Sequence, residues 1–173
     1  VGQLFYGPLT DRFGRKPPVY ASLSLFLSAS LGCAFATSVD ALIALRFLQA
    51  FGACAGIVIA RAIVRDSFDS LEAARMYAAM MLVMGVAPMV APILGGQLLH
   101  FWGWQSIFLA LVAYGSFCFW ALHTYLPETL DPELRRPLVF STTIRAYGSL
   151  LVQHRFRGFA ITSSISMAGL YAF

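Results

Sequence analysis

The sequence has 173 residues and a net charge of +4 at pH 7, with 59% apolar and only 12% charged residues. Soluble domains average about 45–50% apolar and about 25% charged residues, so this composition excludes an ordinary soluble domain. The apolar stretches are continuous and do not alternate with polar residues, which favours membrane-spanning helices over the strands of a barrel. The predicted fold class is therefore an all-α membrane protein.

Four apolar stretches are near or above the length of about 20 residues that a helix needs to cross a bilayer. They are Val19–Thr37, Ala41–Ala60, Met76–Leu99 and Ile107–Leu126. Residues 1–9 have the composition of the last turns of a helix, and a connector over 127–157 leads to the start of a further helix over 158–173. Because the sequence opens without Met and stops inside a candidate span, we expect it to be a fragment of a longer protein.

All Lys and Arg residues except Arg46 lie in three connections that fall on the same side of the membrane if the four spans are real. These connections are predicted at residues 10–18, 61–75 and 127–157. The two opposite connections contain no Lys or Arg, so the positive-inside rule makes the basic side cytoplasmic. The charge is a signal of topology, and we expect no nucleic-acid partner.

The first connection combines charges with glycines where a tight turn needs them. Gly7 lacks a Cβ and allows another backbone to approach, and Gly14 permits a sharp reversal of the chain. Thr10 and Asp11 are residues that cap helix ends. A pair of prolines then suits the first turn of the next helix, where no N–H partner is needed. The cytoplasmic charges of this connection are Arg12, Arg15 and Lys16.

This stretch resembles the loop between the second and third helices of the major facilitator superfamily, whose pattern is roughly G-x-L-small-D-R-x-G-R-R/K. The residues that match are Gly7, Leu9, Thr10, Asp11, Arg12, Gly14, Arg15 and Lys16. A basic loop with a turn would explain the charges but not the spacing of Gly and Asp. The resemblance implies that this loop belongs to the gate of a transporter.

A second motif places Arg46 and Gln49 inside the second full span. An arginine in a span costs about 2.5–3.5 kcal/mol on insertion scales, so we expect Arg46 to face a cavity or a partner. Gly52 and Gly56 follow with the spacing that permits close contact between helices. The motif resembles the R-x-x-Q-G sequence in the superfamily's fourth helix, which implies a role of Arg46 and Gln49 in proton coupling. The alternative is a structural Arg46 that bonds carbonyl oxygens or an acid of the first helix.

A third motif consists of Pro88, Ala91, Pro92, Gly95 and Gly96 in the third full span. The two prolines each remove a backbone hydrogen bond and are expected to bend the helix, while the small residues permit close packing. The motif resembles the antiporter motif of the superfamily's fifth helix, with alanine in place of two glycines. The resemblance implies export and a sealed inner half of the bundle, and the alternative is a kinked packing helix of any transporter.

The second full span ends in Arg65 and Asp66, which look like the R-A-x-x-R-D sequence of the Bcr/CflA branch, the exporters of bicyclomycin and chloramphenicol. We expect Asp66 to pair with Arg12 or Arg15 and to hold the span against the opening loop in one conformation. The alternative is a pair of solvated charges, which would contribute only about 0–1 kcal/mol.

Most of the methionines lie between Met76 and Met89. Flexible methionine surfaces suit promiscuous apolar ligands, which makes Met80 and Met84 candidates for a substrate pocket. Contact with lipid or simple packing is the alternative. The three cysteines lie inside apolar spans without paired spacing, so we expect neither a metal site nor a disulfide.

The resemblance covers nearly the whole chain and implies proton-coupled export of amphipathic drugs by alternating access of two six-helix halves. Residues 1–126 would form the N-terminal half without helix 1 and most of helix 2. Such a transporter lies in the bacterial inner membrane as a monomer, is not an enzyme, and needs no cofactor because the proton gradient drives it. The alternative is a superfamily importer of a sugar or another small metabolite.

Overall fold

The computed structural model describes residues 2–126 and 153–171, and every regular element within them is an α-helix. The helices are α1 (Gly2–Phe13), α2 (Lys16–Ala34), α3 (Val39–Ser67), α4 (Ser70–Trp102), α5 (Gln105–Tyr125) and α6 (His154–Tyr171). Helices α2 to α5 are each long and apolar enough to span a membrane. The predicted all-α membrane fold is confirmed.

Helices α3 and α4 are longer than the apolar stretches predict, and the connections before α2 and α4 are shorter. Gly14 and Arg15 alone separate α1 from α2, so most of the predicted first connection is helical. Phe68 and Asp69 alone separate α3 from α4, so most of the predicted connection over 61–75 is helical as well. Apolar composition marks only the part of a helix that lies in hydrocarbon, and it misses polar turns that continue the helix towards water.

Local sequence sets where these helices begin. Gly14 has a φ of 90°, a left-handed conformation that costs glycine little and lets the chain reverse at once. Pro17 and Pro18 then occupy the first turn of α2. Ser38 and Asp69 cap α3 and α4, because each side chain accepts a hydrogen bond from the backbone N–H three residues further on.

Helix α2 lies at the centre of the unit formed by α1 to α5, where it packs against α3 and α5, while α1 lies against α3. A small apolar cluster joins α1, α2 and α3, and its buried members are Tyr6, Val19, Ala55 and Ile59. Burial of these side chains fixes how the three helices sit on one another. Two of these four residues lie in the C-terminal half of α3, and the other two lie in the adjacent parts of α1 and α2.

The backbones of α2 and α3 come into direct contact at Gly52. A Cβ atom built on Gly52 would lie 2.7 Å from the backbone N of Phe26 and 2.7 Å from the carbonyl O of Ser22. Only glycine fits there without a shift of one helix. A Cβ atom on Gly56 would meet no described atom within 4 Å, so only the first of the two predicted contact glycines makes the contact.

Helix α4 contains the predicted antiporter motif but buries none of its residues against the described part of the chain. The helix runs through Pro88 and Pro92 without interruption. A Cβ atom on Gly95 or Gly96 would meet no described atom within 4 Å. The close packing predicted for these residues and Ala91 is therefore not made with residues 2–126.

Helix α6 belongs to a second unit of the chain. It begins at His154, before residue 158, where the sequence predicts the start of this helix. Residues 127–152 of the predicted connector lie outside the described residues.

Replacement of Gly52 by Ala tests the contact between α2 and α3. The added Cβ meets backbone atoms that cannot turn aside, so we expect the free energy of unfolding to fall by about 1–3 kcal/mol, the usual cost of overpacking. Thermal unfolding in detergent, followed by circular dichroism, measures the loss. Gly56→Ala is the matched control and should leave the unfolding temperature unchanged or slightly raised. Equal unfolding temperatures for the two variants would contradict the contact.

Candidate functional site

Arg46 begins a series of hydrogen bonds between α3 and α2. Its Nη1 donates to Oε1 of Gln49 at 2.8 Å, and Nε2 of Gln49 donates to Oγ of Ser30 at 2.6 Å. The Ser30 hydroxyl in turn donates to the carbonyl O of Phe26 at 2.6 Å. Gln49 is 4% exposed and Ser30 is fully buried, so the bond between them is shielded from solvent, whereas Arg46 itself is exposed. We call this series the Arg46–Ser30 chain.

A cavity of about 270 Å³ adjoins the Arg46–Ser30 chain. It is formed by α2, α3 and α5, and its lining residues are Phe26, Arg46, Gln49, Ala50, Ala53 and Leu111. The guanidinium carbon of Arg46 lies 5.5 Å from the ring centroid of Phe108, within the range of a cation–π contact. Arg46 thus faces both a cavity and partners, as its cost inside a span requires.

The sequence predicts Arg46 and Gln49 as a pair, and the structure brings them together. The sequence does not single out Ser30, because α2 contains several serines and nothing in their spacing shows which one faces α3. The signal that separates them is burial: Ser30 is fully buried, whereas Ser28 is exposed and bonds only carbonyls of its own helix.

A second cluster surrounds Arg15, in the connection between α1 and α2. Its side chain is 3% exposed and donates from Nε to Oδ2 of Asp66 at 2.8 Å. Nη1 donates to Oδ1 of Asp11 and to Oγ1 of Thr10, both at 2.8 Å. Of the two partners expected for Asp66, Arg15 is therefore the one observed, and the guanidinium of Arg12 instead lies 5.1 Å from the ring of Phe13.

The electrostatics of this cluster favour the charged form of Arg15. Burial by itself lowers the pKa of Arg15, but the hydrogen bonds to Asp66 and Asp11 outweigh it and raise that pKa above its ordinary value. The Asp66 side chain is 17% exposed and that of Asp11 is 47% exposed. Solvent screens the bond to Asp11 more strongly, so the Arg15–Asp66 pair contributes more to holding α3 against the connection.

The other residues predicted for the gate differ in how they relate to Arg15. Thr10 is almost fully buried and its hydroxyl donates to the carbonyl O of Gly7 at 2.8 Å, so Gly7 supports the cluster through its backbone. A Cβ atom on Gly7 would meet no described atom within 4 Å, and the predicted close approach there is not observed. Nε of Arg65 lies 3.5 Å from Oδ1 of Asp66, and the Arg65 side chain is 68% exposed. Nζ of Lys16 lies 5.9 Å from the ring centroid of Tyr20.

Met80 and Met84 line one cavity of about 310 Å³, together with Arg61, Tyr77 and Met81. The Tyr77 hydroxyl donates to the carbonyl O of Arg61 at 3.0 Å and so ties α4 to α3. The two methionines predicted for a substrate pocket are therefore brought together beside a cavity. Their contact with a substrate stays a prediction.

The family model of the Major Facilitator Superfamily matches residues 1–173. The chain belongs to this superfamily. It is 40% identical to the uncharacterized MFS-type transporter YdgK of Bacillus subtilis, with all of this chain and 44% of the relative aligned. It is 34% identical to the bicyclomycin resistance protein homolog of Haemophilus influenzae, over 99% of this chain and 43% of the relative. Multidrug resistance protein D of Escherichia coli is 29% identical over the whole chain and 43% of its own length.

The chain thus spans less than half the length of these curated relatives. The resemblance carried by the opening loop is confirmed at the level of the superfamily, and the relatives named for drug resistance agree with its drug/proton antiporter branch. With four helices able to span a membrane, this superfamily member is a multi-pass protein of the inner membrane.

Removal of the Arg15 side chain tests the second cluster. Arg15→Ala leaves Asp66 without its main partner. We expect the free energy of unfolding to fall by about 3 kcal/mol. This value is at the lower end of the range for breaking a buried ion pair, because the second carboxylate, that of Asp11, is half exposed. Chemical unfolding of the purified superfamily member in detergent measures this loss. Arg12→Ala removes an exposed arginine of the same turn and should change stability by less than about 0.5 kcal/mol. Similar losses in both variants would show that the Arg15 contacts do not hold the connection.

Proposed function

We propose that this chain is the N-terminal part of a proton-coupled exporter of amphipathic drugs. The names of its relatives, which include a bicyclomycin resistance protein homolog, multidrug resistance protein D and multidrug transporter MdfA, support export. They favour it over the alternative of a sugar or metabolite importer. The observation that carries the proposal is Arg46, a charged side chain that is held in place beside a cavity inside a span.

Arg46 differs from Arg15 in the charge of its partners. Two carboxylates, of Asp11 and Asp66, compensate the charge of Arg15, whereas Arg46 bonds the neutral amide of Gln49. Among the described residues no carboxylate pairs with Arg46. Its positive charge is therefore available to an acidic group that approaches the cavity.

Arg46 does not itself carry the proton, because the guanidinium is not deprotonated in proteins. Its charge lowers the pKa of a nearby carboxyl group and favours release of the proton that this group carries. If the two groups approach in only one conformation of the transporter, proton release is coupled to the conformational change. The acidic residues of α2–α5 lie only at helix ends, so the carboxyl group would come from another part of the transporter.

The cluster around Arg15 is proposed as an element of the cytoplasmic gate. The bond to Asp66 joins the connection between α1 and α2 to the end of α3, so any movement that separates these elements must break it. A contact that forms in one conformation and breaks in the other biases the equilibrium between them. The gate would thus be closed in the conformation that the structure describes.

The partners of the whole protein, under this proposal, are a small amphipathic drug and protons. The cavity that Met80 and Met84 line is a candidate contact for the drug, because flexible methionine side chains adapt to apolar ligands of different shape. The proton gradient replaces a cofactor, the protein transports rather than catalyses, and the full-length transporter works as a monomer.

Arg46→Ala in the full-length transporter tests proton coupling. Removal of the charge should abolish drug-dependent proton release in proteoliposomes and drug resistance in cells, while membrane insertion remains intact. Arg75→Ala is the matched control, since Arg75 is an exposed arginine near the start of α4. Export by Arg46→Ala at the rate of the control variant would refute the coupling role.

A comparison of Asp66→Asn with Asp11→Asn tests the gate. Both changes neutralise a partner of Arg15, but Asp66 is the less exposed, so we expect Asp66→Asn to slow export by about tenfold and Asp11→Asn by only about twofold, the scale of a buried against a screened charge pair. Drug binding, measured by fluorescence titration of the purified variants, should persist in both. If Asp66→Asn exports at the unmodified rate, the pair is not part of the gate.

A further inference from the structure

The side-chain amide of Gln49 suits Arg46 in only one of its two orientations. A guanidinium group has donors and no acceptor, so Gln49 must present its carbonyl oxygen to Arg46. In the observed orientation Nη1 of Arg46 donates to Oε1 of Gln49 at 2.8 Å. The opposite orientation would set the NH₂ group of Gln49 against the N–H groups of Arg46 and leave buried donors unpaired.

Ser30 selects this orientation. A hydroxyl group has one proton to donate. The Ser30 oxygen lies 2.6 Å from the carbonyl O of Phe26, which can only accept, so the Ser30 proton points there. Towards Gln49, at 2.6 Å, Ser30 can then only accept, and the group that faces it must be the NH₂ of the amide. The hydrogen bonds of the Arg46–Ser30 chain therefore all run in one direction, from the Arg46 guanidinium through Gln49 and Ser30 to the carbonyl O of Phe26.

The contact between α2 and α3 keeps this arrangement in register. Gly52 lies one turn after Gln49, and its Cα fits against the backbone at Ser22 and Phe26. Ser30 lies one turn after Phe26 and uses the carbonyl O of that residue. A rotation or a slide of α3 on α2 would therefore break the packing at Gly52 and the bond between Ser30 and Gln49 together.

We propose that Ser30 is a positioning residue for proton coupling: its hydroxyl fixes the Gln49 amide, which holds the Arg46 guanidinium at the cavity. This inference rests on the proposed function of Arg46. Ser30 acts through Gln49 and needs no contact with drug or proton. Of the described side chains around Arg46, Cys33 of α2 is titratable and interacts with it electrostatically, whereas Phe108 and Leu111 of α5 do not titrate.

Ser30→Ala in the full-length transporter is the first test, with Ser28→Ala as the matched control. Ser28 lies in the same helix, is exposed, and bonds only the carbonyls of Ser24 and Leu25. Drug-driven proton exchange in proteoliposomes is measured over a range of pH. We expect Ser30→Ala to lower the rate by about tenfold, the scale of one buried hydrogen bond, and to shift the midpoint of the pH profile. Ser28→Ala should retain both the rate and the profile.

A double-mutant cycle with Gln49→Ala is the second test. If Ser30 acts through Gln49, the double variant should export no more slowly than Gln49→Ala alone, because the interaction is already lost. Losses that multiply would mean that Ser30 acts independently, and they would overturn the proposal. If Ser30→Ala does not fold, Ser30→Cys takes its place in both tests, since a thiol of similar shape is only a weak acceptor. The midpoint of the pH profile should then shift in the direction expected for Ser30→Ala, but by a smaller amount.

The outcomes separate this inference from the proposed function. If Arg46→Ala retains export, the proton-coupling role of Arg46 fails and the role of Ser30 fails with it. If Arg46→Ala abolishes export while Ser30→Ala follows the Ser28→Ala profile, only the positioning role is overturned. A slower rate with an unshifted pH profile would show that Ser30 serves packing alone, and this result also overturns the proposal.

Discussion

At Gly52 the backbones of α2 and α3 are so close that no side chain fits between them, and the bond between Gln49 and Ser30 depends on this contact. On one side of Gly52 lies the bond between Gln49 and Ser30, and towards the end of α3 lies the bond between Asp66 and Arg15, which precedes α2. The backbone contact thus has a buried hydrogen bond on one side and, at the connection before α2, a part-buried ion pair on the other. A change in the relative position of the two helices has to break the bond between Gln49 and Ser30, which water cannot replace inside the membrane.

The two arginines illustrate two uses of a positive charge in a membrane protein. Arg15 donates hydrogen bonds to Asp66, Asp11 and Thr10, and the two carboxylates neutralise its charge within the cluster. Such a cluster stabilises one arrangement of the helices and loses that stabilisation when its partners separate. Arg46 is held by the neutral Gln49, so its position is fixed while its charge stays unneutralised among the described residues. The first arrangement suits a contact that opens and closes, and the second suits an interaction with a group that arrives.

The sequence predicts much of this organisation, and its failures have physical causes. Apolar length finds the spans, and the spacing of Gly14 and the prolines finds the turn, because both signals are local. Helix ends are less predictable, since α3 and α4 continue through polar turns beyond the apolar stretch that hydropathy detects. Which arginine meets Asp66 depends on how α1 and α2 pack on α3, and a single sequence does not contain that information. Ser30 is hidden for the same reason, because its importance comes from the rotation of α2 about its axis.

The length of α4 has a consequence for the shape of the protein at the membrane surface. Its 33 residues extend for about 50 Å at a rise of 1.5 Å per residue, whereas the hydrocarbon core of a bilayer is about 30 Å thick. Tilt accommodates only part of this excess. The charged first turns of α4, with Glu72 and Arg75, must therefore extend beyond the hydrocarbon, and the end of α3 accompanies them. The hairpin between the two helices forms a water-exposed projection on the cytoplasmic side, accessible there to proteases and antibodies.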